Sequence, residues 1–278
     1  MRSDAQGPFT QEDRELIEQV VERASLAIDN ARLYRARETF LGLAAHELRT
    51  PTTALRAQAQ LMLRRLETLP VERVRSGLET IERQTGRLTR LINDLLDVTR
   101  IEASKLELRE ERTDGGVLAD ELVERFEQLT SRNCFKREGD AHGWVAVDPV
   151  RLDQVLSNLL TNAVKFCEQG DILLRTWRKD REVVFSVIDH GPGISREKQT
   201  LLFERFSQVG NDADRRGGLG LGLYLSRELV LRMGGRIWVE SDGVPGHPTA
   251  FHVSFPEAPA EKVAVQRSQP GGPNALTI

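Results

Sequence analysis

A histidine followed directly by a glutamate occurs in the string FLGLAAHELRTPTTAL, as His46 and Glu47. An exposed imidazole beside a carboxylate can act as a nucleophile whose proton the carboxylate takes or orients. Pro51 lies in the same helical pattern, and we expect a bend just below His46 because proline removes a backbone donor and clashes with the preceding turn. A lone histidine on a helix is more often an ordinary surface residue, so the surrounding string HELRTP decides the interpretation.

Two asparagines and a lysine share one helix face in DQVLSNLLTNAVKF. Asn158 and Asn162 are four residues apart, and Lys165 follows three residues later. Mg²⁺ takes oxygen ligands and phosphate attracts an ammonium group, so this face suits a metal ion and its phosphates. Asparagine is a poor helix former, which makes two of them in a leucine-rich helix notable. A plain polar helix face is the alternative.

A glycine-containing loop follows a predicted strand in VIDHGPGIS. The strand ends at Asp189, and Gly191 and Gly193 follow it. Glycines let a backbone approach a flat ligand closely, and a carboxylate at a strand end can accept a hydrogen bond from an adenine amino group. An ordinary turn is the alternative, since this pattern is weak alone.

A second glycine-rich segment, RRGGLGLGLYLSREL, leads into a helix. Gly218, Gly220 and Gly222 precede that helix, whose free N–H groups and dipole would favour phosphate. The segment is not a Walker A motif, since no GK[ST] follows, and it does not match the dinucleotide fingerprint. Between the two glycine segments lies LFERFSQ, whose Phe203 and Phe206 are candidates to anchor a mobile lid or to pack in the core.

Two long helices position His46. Residues 12–69 read as helix almost throughout, and a second helix runs from about Val71 to Ala103 after a break at Pro70. Such helices predict an antiparallel hairpin, and a homodimer forming a four-helix bundle would bury their apolar seam. On the first helix this heptad seam is Ile17, Val20, Ala24, Ala27, Ala31, Tyr34, Glu38, Leu41, Ala45, Leu48, Thr52, Leu55, Ala59, Met62, Leu66 and Leu69. The second helix continues it with Leu78, Ile81, Thr85, Leu88, Ile92, Leu95 and Thr99.

The rest of the chain alternates between predicted helices and strands. Residues 104–145 form a connector in which 106–111 is a short strand, 117–129 a helix and 131–144 loop-rich. Residues 146–256 follow an α/β pattern, with helices over 149–166 and 223–234 and strands over 171–179, 182–189, 235–242 and 250–255. The tail from Glu257 is rich in Pro, Gly and Ala and is predicted to be disordered.

Composition excludes several classes of protein. The 278 residues carry a net charge of −3, which gives no electrostatic argument for nucleic acid as a partner. No stretch approaches the length of a membrane span, and no signal peptide is visible, so we expect a cytoplasmic location. The only two cysteines, Cys134 and Cys167, make a disulfide scaffold or thiolate zinc site improbable.

The four strings, in this order, resemble the sensor histidine kinases of two-component signalling. The resemblance covers about residues 38–256 and is specific because the ordered set is far less common than any one string. It implies an α+β protein: a helical hairpin forming a dimeric four-helix bundle, followed by an α/β sandwich that binds ATP on a mixed sheet. Residues 10–37 also resemble the last helix of a GAF domain, although the rest of such a domain is not visible.

The resemblance implies a role for each candidate residue. His46 would accept the γ-phosphoryl group, with Glu47 as base, and pass it to an aspartate of a response regulator. Thr50 matches the position where this family can orient a water for dephosphorylating the regulator. Asp189 would hold adenine and Lys165 would assist at the phosphates. The other members of the implied ATP site are Asn158 and Asn162, which would also reach Mg²⁺, with Gly191, Gly193, Phe203, Phe206, Gly218, Gly220 and Gly222.

The predicted organisation has four parts: a signalling helix, a phosphotransfer hairpin, a catalytic domain and a disordered tail, over residues 1–37, 38–104, 105–256 and 257–278. The chain departs from the family at Ala45, Thr52 and His190, and the short stretch 130–147 leaves one or two strands unassigned. Two rival classes stay open. One is an ATPase or serine kinase with the same nucleotide fold, for which a Glu is expected near Asp153 and Gln154; the other is an inactive dimeric scaffold.

Overall fold

The computed structural model of the chain describes residues 11–65, 70–130, 133–139, 143–167, 170–207 and 219–259. By its internal contacts the chain divides into two compact units. The first comprises residues 1–104 with 210–221, and the second comprises residues 105–209 with 222–278. The fold class is α+β, as predicted, with a long helical hairpin followed by an α/β domain.

Two long helices form the first unit and confirm the predicted hairpin. Helix α1 (Gln11–Arg65) runs without interruption through Pro51, and its predicted last residues, 66–69, lie outside the described segments. Helix α2 (Val71–Glu102) begins after Pro70, whose carbonyl accepts the first backbone hydrogen bonds of the helix. Across the described segments, no helix combines the length and apolar character needed to span a membrane.

The two helices are antiparallel, and a close contact fixes their register. A Cβ placed on Gly77 of α2 would lie 2.6 Å from Met62 Sδ and 2.8 Å from Gln58 Nε2 of α1. The start of α2 therefore lies against the end of α1. Moving forward along α2 from this contact means moving backward along α1.

Part of the buried face of each helix is offset by one residue from the predicted seam, although the seam residue Met62 near the end of α1 is buried. On α1, Ala44 and Pro51 are buried. The seam positions that follow them, Ala45 and Thr52, are exposed. Helix α2 shows the same offset, with buried residues at 77, 91 and 98 rather than at 78, 92 and 99. The large apolar seam residues that stay exposed in the single chain are, among the described residues, Ile17, Val20, Leu41, Leu78 and Ile92. Much of the predicted seam is thus not the surface between the two helices of the hairpin.

A mixed five-stranded sheet forms the framework of the second unit. Its strands and those of a small separate sheet are β1 (Glu111–Asp114), β2 (Asn133–Gly139), β3 (Trp144–Val147), β4 (Gly170–Lys179), β5 (Glu182–Asp189), β6 (Arg236–Glu240) and β7 (Thr249–Pro256). The large sheet has the order β2-β4-β5-β7-β6, in which β2 is parallel to β4 and the other neighbours are antiparallel. Strands β1 and β3 form an antiparallel pair.

Helices pack against this sheet and close the core. They are α3 (Gly115–Leu129), α4 (Pro149–Phe166) and α6 (Gly222–Arg232), besides the single turn α5 (Arg196–Gln199). Asp148 caps α4 by accepting the N–H groups of Val150 and Arg151 at 3.0 and 3.1 Å, and a proline occupies the first helical position. The side of α4 that faces the core is fully apolar: Leu152, Val155, Leu156, Leu159, Leu160 and Ala163.

The region between 104 and 147 differs from the sequence prediction. Segment 131–144, expected to be loop-rich, contains β2 and the first residue of β3. The strand predicted over 106–111 is wrong except at its last residue, because β1 spans Glu111–Asp114. Strand β2 was obscured because it lies at the sheet edge and exposes the charged residues Lys136 and Glu138. The short helix α5 was also not predicted.

Chain contacts continue beyond residue 256, where the catalytic domain was predicted to end. Glu257 forms an isolated bridge with Val145, and the Ala258 N–H donates to the carbonyl of Trp144 at 2.7 Å. The two residues that follow β7 therefore hold β3 near that strand. Residues 260–278, which make up most of the tail predicted to be disordered, lie outside the described segments.

Candidate active site

His46 lies on α1 with its side chain exposed. One turn further along, Thr50 Oγ1 donates a hydrogen bond of 3.3 Å to the carbonyl oxygen of His46. The hydroxyl of Thr50 is therefore placed one turn from the imidazole on the same side of the helix. The imidazole is accessible on the surface of the chain, as a nucleophile toward a bulky substrate must be.

The neighbouring carboxylate is held much more firmly than the histidine. The Glu47 side chain is only 18% exposed, and its Oε2 accepts a hydrogen bond of 3.2 Å from Arg87 Nη2 of α2. Glu47 therefore lies on the side of α1 that faces the second helix. The exposed imidazole and the held carboxylate are neighbours in the chain, and the printed contact of Glu47 is with Arg87 of α2.

The two predicted Mg²⁺ ligands of α4 differ in their contacts. Asn158 Nδ2 donates a hydrogen bond of 2.9 Å to Oγ of Ser226, which is buried in α6. Its Oδ1 would lie 2.5 Å from a Cβ placed on Gly222, the first residue of α6. Only glycine lets the first turn of α6 approach α4 so closely. Asn162, one turn along α4, is half-buried and completes the polar face.

The loop after β5 is built around Asp189, which is 5% exposed. Its Oδ1 accepts the N–H of Gly191 at 2.8 Å. Burial raises the pKa of the Asp189 carboxyl above its ordinary value, while the Gly191 N–H and the adjacent His190 lower it. Within the described residues, Oδ2 makes no hydrogen bond. A buried carboxylate with one oxygen still open suits a donor on a ligand, as the predicted adenine amino group would supply.

The glycines of both segments occupy restricted positions. A Cβ placed on Gly191 would lie 3.2 Å from the carbonyl oxygen of Phe166, the last residue of α4. Gly193 has φ of +71°, and a Cβ there would meet the backbone of the loop after β6 at 2.7 Å. Gly220 also has a positive φ, of +65°. Gly218, which was also predicted to belong to the site, lies outside the described segments.

The two phenylalanines of LFERFSQ are half-buried, and an arginine between them is anchored. Phe206 has a positive φ of +63°. Arg205 Nη2 donates a hydrogen bond of 2.6 Å to the hydroxyl of Tyr224 in α6, and its guanidinium lies 4.7 Å from the centre of that ring. This contact joins the segment that contains Phe203 to the first turn of α6.

One side of α4 connects these parts into a candidate nucleotide site. Asn158 contacts the start of α6, and Phe166 lies against the loop at Gly191. Asn162 and Lys165 lie between them on the same helix face. Two amides, an ammonium group and the N-terminus of an 11-residue helix are thus brought together, and each of these groups interacts favourably with phosphate or its metal ion.

Sequence reasoning missed three residues that contact the candidate residues or lie next to them. Ser226 follows Gly222 by four residues and so shares its helix face, which was an available signal. Arg205 lies inside a string already singled out for its phenylalanines. Arg87 gave no local signal, because only the register of the two helices places it opposite Glu47.

The position at which a hydrolase needs a catalytic glutamate holds no free base. Asp153 is ion-paired with Arg125 at 2.8 Å and accepts a hydrogen bond from Ser157 at 3.3 Å. Gln154 accepts a hydrogen bond of 2.7 Å from Arg151. A paired carboxylate and an amide are poor groups for activating water, which disfavours the hydrolase alternative.

Comparison with known proteins agrees with this geometry. Residues 36–104 match the family described as His Kinase A (phospho-acceptor) domain. Residues 147–259 match the histidine kinase-, DNA gyrase B- and HSP90-like ATPases. The circadian input-output histidine kinase CikA of Synechococcus elongatus is 35% identical over 262 residues, which cover 90% of this chain and 34% of that protein.

Two solved structures show the same fold. ShkA in complex with AMPPNP superposes with a TM-score of 0.58 and 30% identity, covering 80% of this chain and 47% of that chain. The histidine kinase ThkA in complex with the response regulator protein TrrA gives a TM-score of 0.54 at 23% identity, covering 90% of this chain and 68% of that chain. This chain thus spans about a third of CikA and about half of ShkA.

Fold and site together define a protein in which a phospho-acceptor hairpin precedes an ATPase-type domain. The hairpin match separates it from gyrase-like and Hsp90-like ATPases, for which the nucleotide domain alone would suffice. The chain belongs to the sensor histidine kinase family. Residues 10–35 lie outside both family matches, and their resemblance to the last helix of a GAF domain stays a prediction.

Proposed function

We propose that this chain transfers the γ-phosphoryl group of ATP to His46. In this reaction an imidazole nitrogen forms a bond to the γ-phosphorus, the bond from that phosphorus to the β,γ-bridging oxygen breaks, and ADP leaves. Glu47 takes or orients the imidazole proton. The observation that supports this most strongly is the exposed imidazole next to a carboxylate, on a hairpin that matches the phospho-acceptor family.

The second unit is proposed to bind the ATP substrate. Asp189 is buried, with one oxygen open toward a donor, which fits an adenine amino group. The N-terminus of α6 and Lys165 fit the phosphates. The solved complex of ShkA with AMPPNP, at 30% identity, supports a nucleotide at this fold position.

Magnesium fits the donor set of α4. The described residues contain no group of three His, Cys, Asp or Glu side chains that would cage a metal ion. Asn158 and Asn162 offer neutral amide oxygens, and a magnesium ion characteristically combines few protein oxygens with waters and substrate phosphates. When bound, the ion would neutralise charge on the phosphates.

The phosphoryl group on His46 is proposed to pass to an aspartate on the receiver domain of a response regulator. ThkA, which shares this fold, was solved in complex with a response regulator, and the exposed His46 leaves room for such a partner. Thr50, one turn from His46, is the candidate to orient a water in the reverse, phosphatase reaction. ATP and the regulator are both cytoplasmic in this proposal.

A homodimer is proposed through the exposed apolar seam of the hairpin. Leu41 is 56% exposed, Leu78 55% and Ile92 43% in the single chain, although all three belong to the heptad pattern. A second copy would cover these residues by completing a four-helix bundle, which is the usual way for a hairpin to bury a second apolar face.

One labelling experiment separates this proposal from both rivals. Purified protein is incubated with [γ-³²P]ATP and Mg²⁺, and the product is treated with acid and with base. Phosphohistidine is acid-labile and base-stable, so we expect label that survives base only. Acid-stable label would indicate a serine kinase. Release of phosphate without labelled protein would indicate a hydrolase, and the absence of both label and phosphate release would indicate an inactive scaffold.

A further inference from the structure

The contact between Glu47 and Arg87 joins two residues that are 40 positions apart in the chain, at 3.2 Å between Oε2 and Nη2. It follows from the register set at Gly77, since moving up α2 from that residue to Arg87 corresponds to moving down α1 from Gln58 to Glu47. The ion pair is thus built into the hairpin and needs no second unit.

We infer that Arg87 is a positioning residue for the carboxylate of Glu47 in the transfer of phosphate to His46. This inference rests on the proposed function, because Glu47 needs a defined orientation only if His46 reacts. Among the described residues, the only hydrogen bond and ion pair of Arg87 is the one to Glu47, so its effect would pass through Glu47 alone.

The burial of the pair supports a positioning role. Glu47 is 18% exposed and Arg87 36% exposed, while His46 is exposed to solvent. A glutamate has three rotatable side-chain bonds, and a carboxylate that is free to rotate faces the neighbouring imidazole only part of the time. The guanidinium binds Oε2 and restricts these rotations. In the inferred role, Oε1 would be the oxygen that takes or orients the imidazole proton. General-base assistance depends on such placement.

The pair contributes little to the stability of the hairpin. Ion pairs that are partly exposed to solvent typically add little to the free energy of folding. Removing the charge of Arg87 should therefore change the reaction rate more than the thermal midpoint. This difference separates a positioning role from a purely structural one.

The test uses the full chain, with Arg87→Met as the main variant and Arg87→Lys as the conservative one. Arg83→Met is the matched control, because Arg83 lies one turn earlier on α2 and donates to Thr80 of its own helix at 3.1 Å. Initial rates of [γ-³²P]ATP labelling are measured over a range of ATP concentrations, with thermal unfolding followed by circular dichroism. The same Arg87→Met change is also made in a Glu47→Gln background, with incubations long enough to quantify slow labelling.

We expect Arg87→Met to lower the maximal labelling rate roughly tenfold without changing the KM for ATP. Arg87→Lys should recover most of the rate, and Arg83→Met should match the wild type. In the Glu47→Gln background, Arg87→Met should have no further effect, because the group it positions is already disabled.

Three results would overturn the inference while leaving the proposed function intact. The first is a labelling rate of Arg87→Met equal to that of Arg83→Met, and the second is a labelling rate of Arg87→Met above that of the wild type. The third is a fall in labelling rate on Arg87→Met that is as large in the Glu47→Gln background as in the wild type. A wild-type chain that takes up no acid-labile label would instead contradict the proposed function, and the inference would fall with it.

Discussion

The hairpin and the α/β domain hold their reactive groups in opposite ways. His46 is exposed on a single helix, whereas Asp189 is 5% exposed at the end of a central strand. Asn158 is bound to a residue of another helix, Ser226, at 2.9 Å. The proposed nucleotide site is therefore preorganised for a small ligand, while the hairpin leaves the proposed phosphoryl acceptor open to large partners.

The difference extends to the apolar surface. The α/β domain has a buried apolar core, in which Phe185 and Phe255 pack edge-to-face at 6.5 Å between ring centres. The hairpin leaves several leucine and isoleucine side chains exposed in the single chain. One region is complete as a folding unit, and the other is proposed to need a second copy. Changes in the two regions should consequently fail in different ways.

The largest effect is expected from Asn162→Ala in the α/β domain. Alanine is the better helix former, so the fold should persist while one amide oxygen near the phosphates is lost. We expect binding of Mg·ATP to be lost, because the metal ion and the phosphates lose one of their oxygen partners. Isothermal titration measures it, with Thr161→Ala, an exposed neighbour on α4, as the control.

Autophosphorylation of Asn162→Ala at the wild-type rate in Mg²⁺ would show that the metal role is wrong. Asn158→Ala sharpens the comparison. Because it also breaks the bond to Ser226 between α4 and α6, it should lower the thermal midpoint, which Asn162→Ala should not do.

Glu47→Ala, a change in the hairpin, should have the next largest effect, and this effect should be on the labelling rate. Loss of general-base assistance typically costs about 10²–10⁴-fold in rate. Nucleotide affinity should stay at the wild-type value, since Glu47 is not part of the α/β domain. Labelling rates and titration with ATP measure the two quantities, and Glu82→Ala, an exposed carboxylate of α2, is the control. An unchanged labelling rate would leave Glu47 with no catalytic role.

A smaller effect is expected on hairpin stability from Asp94 of α2. Burial raises the pKa of Asp94 from 3.8 to about 6, and the charge of Asp97 adds to this while that of Arg90 opposes it. A raised carboxyl pKa means that stability present below pH 3.8 is lost as the pH rises through about 6, because the ionised form is penalised in the fold. Asp94→Asn should therefore stabilise the protein above pH 6, by at most about 3 kcal/mol.

Thermal unfolding at equal protein concentration, at pH 7.5 and at pH 4, checks this prediction. The variant should be the more stable protein at pH 7.5, and the difference should vanish near pH 4. Glu82→Gln, a comparable change at an exposed site of α2, should alter neither value. A gain for Asp94→Asn that is the same at both pH values would contradict the assignment to a titrating carboxylate.

The smallest effect is expected from Glu38→Leu in α1. Glu38 is the one charged residue of the predicted seam, and two facing carboxylates in a dimer would repel each other and be partly desolvated. The variant should strengthen the dimer and shift the balance between kinase and phosphatase reactions. Sedimentation and labelling rates measure both. A monomeric wild-type protein would contradict the dimer, and a variant unchanged in both would contradict the role of Glu38.

The same comparison explains how much of the molecule could be predicted from its sequence. Helix α1 could be predicted because its heptad spacing is local, and the helix continues through Pro51. The bend expected just below His46 stays a prediction. The face of α1 that packs against α2 could not be predicted, because the heptad count identifies an apolar stripe but not the partner that covers it. In the structure Ala44 is buried and Ala45 is exposed. Strand β2 was missed because an edge strand exposes charged side chains on one face.

The candidate site was likewise readable where its residues are close in sequence. Asn158 and Asn162 share a helix turn, and Asp189 and Gly191 share a loop. The contacts that hold these residues in place are long-range: Ser226 reaches Asn158 across 68 positions and Arg87 reaches Glu47 across 40. Such pairs depend on helix register and packing, which no local spacing reveals.

The central claim is that the phosphoryl acceptor and the nucleotide site belong to separate regions, and His46→Gln tests it most directly. The same preparation is measured twice, for binding of Mg·ATP by titration and for acid-labile label from [γ-³²P]ATP. We expect wild-type affinity for the nucleotide and complete loss of label, because His46 lies on the hairpin, whereas Asn158, Asn162 and Asp189 belong to the second unit. Residual acid-labile phosphate in the variant would contradict the assignment of His46.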